Sequence, residues 1–68
     1  MALTEKVSRN LRAARLAKKL TQQALAAEAG LSTSFISMLE RGRRSPPLDT
    51  LEALAGALGV RPTALLEG

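Results

Sequence analysis

The 68-residue sequence contains no cysteine, histidine, tryptophan or tyrosine, and one phenylalanine. Without cysteine there is neither a disulfide framework nor a thiolate metal site. Without histidine, the candidate metal ligands reduce to six scattered carboxylates. A Gly-rich phosphate loop and a clustered carboxylate pair are missing too, so enzyme chemistry, a metal and a cofactor are not expected. No apolar run approaches the roughly 20 residues of a membrane span. The start, Met1-Ala2-Leu3-Thr4-Glu5-Lys6, lacks the charged-then-apolar layout of a signal peptide. The expectation is a soluble cytoplasmic protein with no membrane partner. Internal repeats, low-complexity stretches and linkers are also missing, which predicts one domain over residues 1–68. A chain this short buries only about 60% of the surface it exposes when unfolded, so its core is thin.

Strand formers are scarce, whereas Leu and Ala, both helix formers, dominate. The apolar spacing is helical and predicts five short helices. The first runs from about Thr4, as N-cap, to Lys18, with Val7, Leu11 and Ala14 on one face. The second starts after Thr21, another N-cap, and ends at Gly30. Ser32 caps the third, which runs to about Arg41, with Ile36 and Leu39 inward and Gly42 as its stop. Pro46-Pro47 enforces a loop. The fourth covers Leu48 to Leu58, where Leu51, Leu54, Ala55 and Leu58 follow the i, i+3, i+4, i+7 pattern. The fifth is short, about Pro62 to Leu66, with Pro62 suited to a first helical position.

The net charge is +4, and its distribution is uneven. Residues 1–34 carry six basic and two acidic side chains, while residues 35–68 carry four of each. Arg41, Arg43 and Arg44 form a second basic cluster. Such asymmetry suits a polyanion, although a mildly basic charge is also common in small soluble domains.

The informative segment is Thr21 to Arg41. Two short helices joined through Gly30-Leu31-Ser32 make a helix-turn-helix. Close crossing of the helices needs a small contact, which Ala26 supplies, and Gly30 supplies a positive-φ turn position without Cβ strain. Stepping about 100° per residue, Thr33, Ser34, Ser37, Met38 and Arg41 share the outer face of the second of these helices.

The run Leu20-Thr21-Gln22-Gln23-Ala24-Leu25-Ala26, then Ala29-Gly30-Leu31-Ser32, then Ile36 through Gly42, then Leu51 through Val60, resembles the Cro/C1-type (xenobiotic-response-element) regulator family over about residues 7–66. The resemblance implies an all-α, compact five-helix, lambda-repressor-like domain that binds double-stranded DNA as a homodimer. It also implies a pseudo-palindromic operator, with the third helix in the major groove. By position, Thr33, Ser34, Ser37 and Met38 would read bases, while Thr21, Gln22, Ser32, Arg41, Arg43 and Arg44 would meet phosphates. Arg15 and Glu40 match a structural ion pair between the first and third helices.

Four departures from the family pattern stand out. Lys19 replaces a common Gly where the first helix ends, Ala24 leaves the second helix without a capping box, and Pro47 stands where a Ser cap is common. The reading positions also hold short side chains, with no Gln, Asn or Arg at Thr33, Ser34 or Ser37 for bidentate base contacts. Two other readings stay open on the residues alone: a protein-interaction module such as an antitoxin, and the DNA-binding half of a larger ligand-sensing regulator. Several single residues are ambiguous as well. Arg9, Arg12, Lys18 and Lys19 are either phosphate neighbours or a solvated face, and Phe35 either packs on the fourth helix or meets a partner.

Overall fold

The computed structural model describes residues 3–67, so Met1, Ala2 and Gly68 of the expected domain span lie outside the described residues. Four α-helices, α1 (Leu3–Ala17), α2 (Gln22–Ala29), α3 (Thr33–Glu40) and α4 (Leu48–Leu58), precede a 3₁₀ turn at Pro62–Leu65. No strand occurs among the described residues. The architecture is therefore all-α, as the spacing predicts, but the expected fifth α-helix is a single 3₁₀ turn. Its bonds run from Ala64 N–H to the Arg61 carbonyl and from Leu66 N–H to the Thr63 carbonyl. Four residues suffice to bury Leu65, and so short a segment gains nothing from the wider α-turn.

The helix starts follow the side chains available. Thr21 Oγ1 accepts the Ala24 N–H at 3.0 Å, and Ser32 Oγ accepts the Phe35 N–H at 3.1 Å. Each hydroxyl thus satisfies an amide that its helix cannot. Pro47 precedes α4 with no side-chain cap. Instead Asp49, in the first turn, accepts the Thr50 N–H at 2.8 Å and puts negative charge at the positive helix end. Thr4 departs from expectation. It lies inside α1, which already includes Leu3, so it is not the N-cap. Its hydroxyl is 2.6 Å from Ser45 Oγ and ties the first turn of α1 to the loop before α4.

The helix ends share one device. After each of α1, α2, α3 and α4, an amide reaches back five residues: Leu20 to Arg15, Leu31 to Ala26, Arg43 to Met38 and Val60 to Ala55. This Schellman pattern requires a left-handed residue at the bend. After α2, α3 and α4 the residue is glycine, but after α1 it is Lys19, at φ 59°. A side chain in that region crowds its own backbone, by about 1–2 kcal/mol. The chain leaves α1 by the same route as the other helices, at the expense of that strain.

One apolar core joins the elements. Val7 and Leu11 of α1, Leu25 and Ala26 of α2, Ile36 and Leu39 of α3, Leu51, Leu54, Ala55 and Leu58 of α4, and Leu65 are all buried. Helix α2 packs on α3 and α4, α1 packs on α3, and the 3₁₀ turn packs on α1 and α4. Asn10 of α1 donates to the Leu65 carbonyl at 3.1 Å and also to that of Glu67, which holds the C-terminal turn against α1. Leu16 stays exposed, as its position off the inner face of α1 predicts. Leu3 and Leu48 are exposed beside a shallow apolar groove that also includes Val7, Pro46, Leu51 and Leu66.

Replacing Lys19 with glycine removes the left-handed strain. The substitution is expected to stabilise the fold by about 1 kcal/mol, raising the thermal midpoint by roughly 4–8 °C for a domain of this size. A midpoint that stays the same or falls in a circular-dichroism melt would show that the Lys19 side chain offsets its own strain.

Candidate nucleic-acid interface

Two short helices at close quarters present one polar face. Helices α2 and α3 are separated only by Gly30, Leu31 and Ser32, and Ala26 is 2% exposed between them. With Ile36 and Leu39 buried, α3 can turn only one side outward. Thr33 and Ser34 on that side are exposed, while Ser37 and Met38 are half-buried. Ser32 and Thr21 are exposed as well, each using its hydroxyl as a cap. A capping oxygen still carries its own hydrogen, which is free to point outward.

The charged frame behind this face centres on Glu40. Arg15 Nε donates to Glu40 Oε2 at 2.6 Å and Nη2 donates to Oε1 at 3.0 Å. A third donor, Nη1, reaches the Leu20 carbonyl at 2.8 Å. The Arg15 and Glu40 side chains are only 10% and 4% exposed. The hydrogen bonds that Arg15 donates to Glu40 raise the Arg15 pKa above its ordinary value, against the opposing effect of burial. A base shifted upward keeps its stabilising charge until the pH exceeds that raised value, so the pair persists across the neutral range.

Gln22 has a role that its position in the sequence does not disclose. Its Nε2 donates to Glu40 Oε1 at 3.1 Å. A carboxamide nitrogen carries two hydrogens, so one holds the side chain in place and the other remains for an acceptor outside. Glu40 thereby orients both the ion pair and the first side chain of α2.

The arginine cluster follows α3. Arg41, Arg43 and Arg44 are exposed on the turn that reverses the chain at Gly42. The turn lies against α1, where a Cβ added at Gly42 would stand 3.6 Å from Ser8 Oγ. Arg43 carries the amide that closes the end of α3 onto the Met38 carbonyl. The Arg44 guanidinium carbon sits 5.6 Å from the centroid of the Phe35 ring. Phe35 itself is half-buried at the edge of the core.

Arg9, Arg12 and Lys18, basic residues left ambiguous by the sequence, divide. Arg9 and Arg12 line a shallow groove with Ser8, Ala13, Leu16 and Glu40, beside the end of α3. Lys18 instead lies over the end of α4, its Nζ 3.2 Å from where a Gly59 Cβ would stand. Unpaired carbonyls gather at a helix end, and a cation suits them there. Sequence reasoning missed this contact, the Asn10 clamp and the Phe35–Arg44 contact. The first two join residues distant in the chain, and the third depends on the chain reversal at Gly42, so no periodic signal marks any of them. Among the described residues, no group of three or more acidic side chains gathers as a metal site. No described helix is long and apolar enough to cross a membrane.

A buried two-helix unit that projects one polar, cation-flanked helix face defines a helix-turn-helix protein. The chain belongs to the helix-turn-helix family HTH_3, which it matches over residues 11–65. It is 47% identical over 60 residues to the immunity repressor protein of Bacillus phage phi105, covering 88% of this chain and 42% of that protein. The chain thus spans less than half the length of that relative. Among solved structures it is similar to the restriction–modification controller protein C.AhdI from Aeromonas hydrophila, with a TM-score of 0.88 and 39% identity, covering 91% of this chain and 94% of that one. It is also similar to the P22 c2 repressor, solved in complex with a synthetic operator, with a TM-score of 0.85 and 37% identity over the same shares of each chain.

Removing one member of the Arg15–Glu40 pair strands the other in a largely covered site. Arg15→Ala or Glu40→Ala is expected to cost about 3–5 kcal/mol in urea denaturation, a large part of the stability of so small a domain. A loss below about 1 kcal/mol would equate the pair with an exposed salt bridge.

Proposed function

We propose that this chain is a sequence-specific double-stranded DNA-binding domain of a transcriptional regulator, of repressor or controller type. The observation that carries the reading is the exposed face of α3 beside the Arg41, Arg43 and Arg44 cluster, on a scaffold shared with a repressor solved on an operator. In this reading α3 enters the major groove. Thr33, Ser34, Ser37 and Met38 read base edges and thymine methyls there. Thr21, Gln22 and Ser32 meet phosphates at the amino ends of α2 and α3, where helix dipoles favour anions. Arg41, Arg43 and Arg44 neutralise phosphates at the far end. Because the reading side chains are short, much of the discrimination falls to Arg41, to bridging water and to DNA shape.

The domain acts in the cytoplasm, on the nucleoid, as a homodimer. Two α3 helices about 34 Å apart then meet successive major grooves of a pseudo-palindromic operator. The contact surface is the end of α4 with the 3₁₀ turn, where Ala57, Val60 and Leu66 remain only partly buried.

Fluorescence anisotropy on a pool of mixed-sequence duplexes, over a series of salt concentrations, tests the reading. Binding should weaken steeply with salt as counterions are released. Ser34→Ala should change the preference among sequences. Arg43→Ala should weaken all duplexes alike and reduce the log–log salt slope by about 0.9 for each bound chain. If no duplex binds at low salt, the chain is not a DNA reader on its own. Analytical ultracentrifugation with a bound operator checks the dimer, and one chain per site would count against it.

A further inference from the structure

The contact between Phe35 and Arg44 gives a half-buried aromatic a role beyond packing. Phe35 is the only aromatic residue in the sequence, so no other ring is available to Arg44. Counting about 100° per residue, Phe35 lies next to Met38 on the circumference of α3, at the border between its buried and outer faces. Arg44 lies four residues beyond the end of α3, yet its guanidinium returns to a ring in the first turn of that helix. The reversal at Gly42, with Arg43 bonded back to Met38, directs the chain that way. An arginine on an exposed loop otherwise samples many rotamers and must lose that freedom when it binds a phosphate. The contact with the ring restricts that freedom in advance, and because it is made with the π face of Phe35 it uses none of the guanidinium's hydrogen bonds to an oxygen acceptor.

We propose that Phe35 is a positioning residue for DNA-backbone binding: its ring holds the Arg44 guanidinium beside the recognition helix as a pre-ordered cation for a phosphate. The inference rests on the DNA-binding reading above and adds to it. Arg44 acts with the amino-terminal half of α3 rather than with Arg41 at the carboxyl end. Phosphate contact is independent of base sequence, so the effect must appear on every duplex alike.

The test measures anisotropy on the mixed-sequence duplex pool across salt concentrations. It uses the wild-type chain, Phe35→Tyr, Phe35→Leu, Arg44→Ala and the double variant Phe35→Leu/Arg44→Ala, with a thermal melt of each. Phe35→Leu keeps apolar volume but removes the ring face. It is expected to weaken binding about two- to fivefold on all duplexes, with a shallower salt slope, while Phe35→Tyr binds as the wild type does. In the Arg44→Ala background Phe35→Leu should add nothing, because the cation it positions is gone. Three outcomes would overturn the proposal while leaving the DNA-binding reading intact. Phe35→Leu could leave affinity and slope unchanged, could lower the melting midpoint alone, or could weaken binding as much without Arg44 as with it. Failure of the wild-type chain to bind any duplex at low salt would instead overturn the DNA-binding reading, and this proposal with it.

Discussion

The guanidinium of Arg15 spans the joint on which the helix-turn-helix depends. Three of its donors are engaged, two by the Glu40 carboxylate and one by the Leu20 carbonyl. That arrangement links the last turn of α1, the exit from α1 and the last residue of α3 in one place. Hydrophobic packing alone would leave α3 free to slide or rotate on α1 by small amounts, since apolar contacts are non-directional. A bidentate arginine–carboxylate pair has a fixed geometry and sets both the register and the rotation of the helix it holds. Gln22 completes the set by bonding the same carboxylate, so the amino end of α2 takes its bearing from the carboxyl end of α3. The outer face of α3 therefore has one orientation.

The outward face is built with little material. Thr33, Ser34 and Ser37 project short hydroxyl groups, and the nearby cations sit on the reversing turn rather than on the helix. Short side chains let a helix approach a groove closely but discriminate between bases weakly. In the proposed reading the arginines carry the electrostatics, and the hydroxyls adjust the fit. The Phe35 ring lies between the two groups, beneath Arg44 and at the margin of the core. One side chain thus couples the packing of α3 to the placement of a charge on the loop that follows it.

The fold achieves this in a small chain by repeating a single device. Every helix ends in the same backward hydrogen bond, and every turn is short. The glycines after α2 and α3 place the loops close to the helices they leave, so α3 is bounded on both sides by tight reversals. Lys19 makes the same turn with a side chain in place. Its strain is tolerated because the following Leu20 amide and carbonyl are both committed, one to Arg15's backbone and the other to its side chain.

Local patterns in the sequence determined most of the fold. The core positions Val7, Leu11, Leu25, Ala26, Ile36, Leu39, Leu51, Leu54, Ala55 and Leu58 follow helical spacing, and the caps at Thr21 and Ser32 follow residue chemistry. These were legible because helix periodicity, capping and chain reversal are decided within a few residues. The limits of that reading were also local. Thr4 looked like a cap but is held by Ser45, and Pro62–Leu65 looked like a helix but closes after one 3₁₀ turn. The outer face of α3 was legible from its spacing, with Arg15 and Glu40 suggested by family resemblance. Only the tertiary structure decided that Gln22 shares Glu40 with Arg15, that Lys18 serves the end of α4, that Asn10 clamps the C-terminal turn, and that Arg44 turns back onto Phe35. The first three join groups brought together by the packing of whole helices and the last depends on the reversal at Gly42, and none of them leaves a periodicity in the sequence to be read.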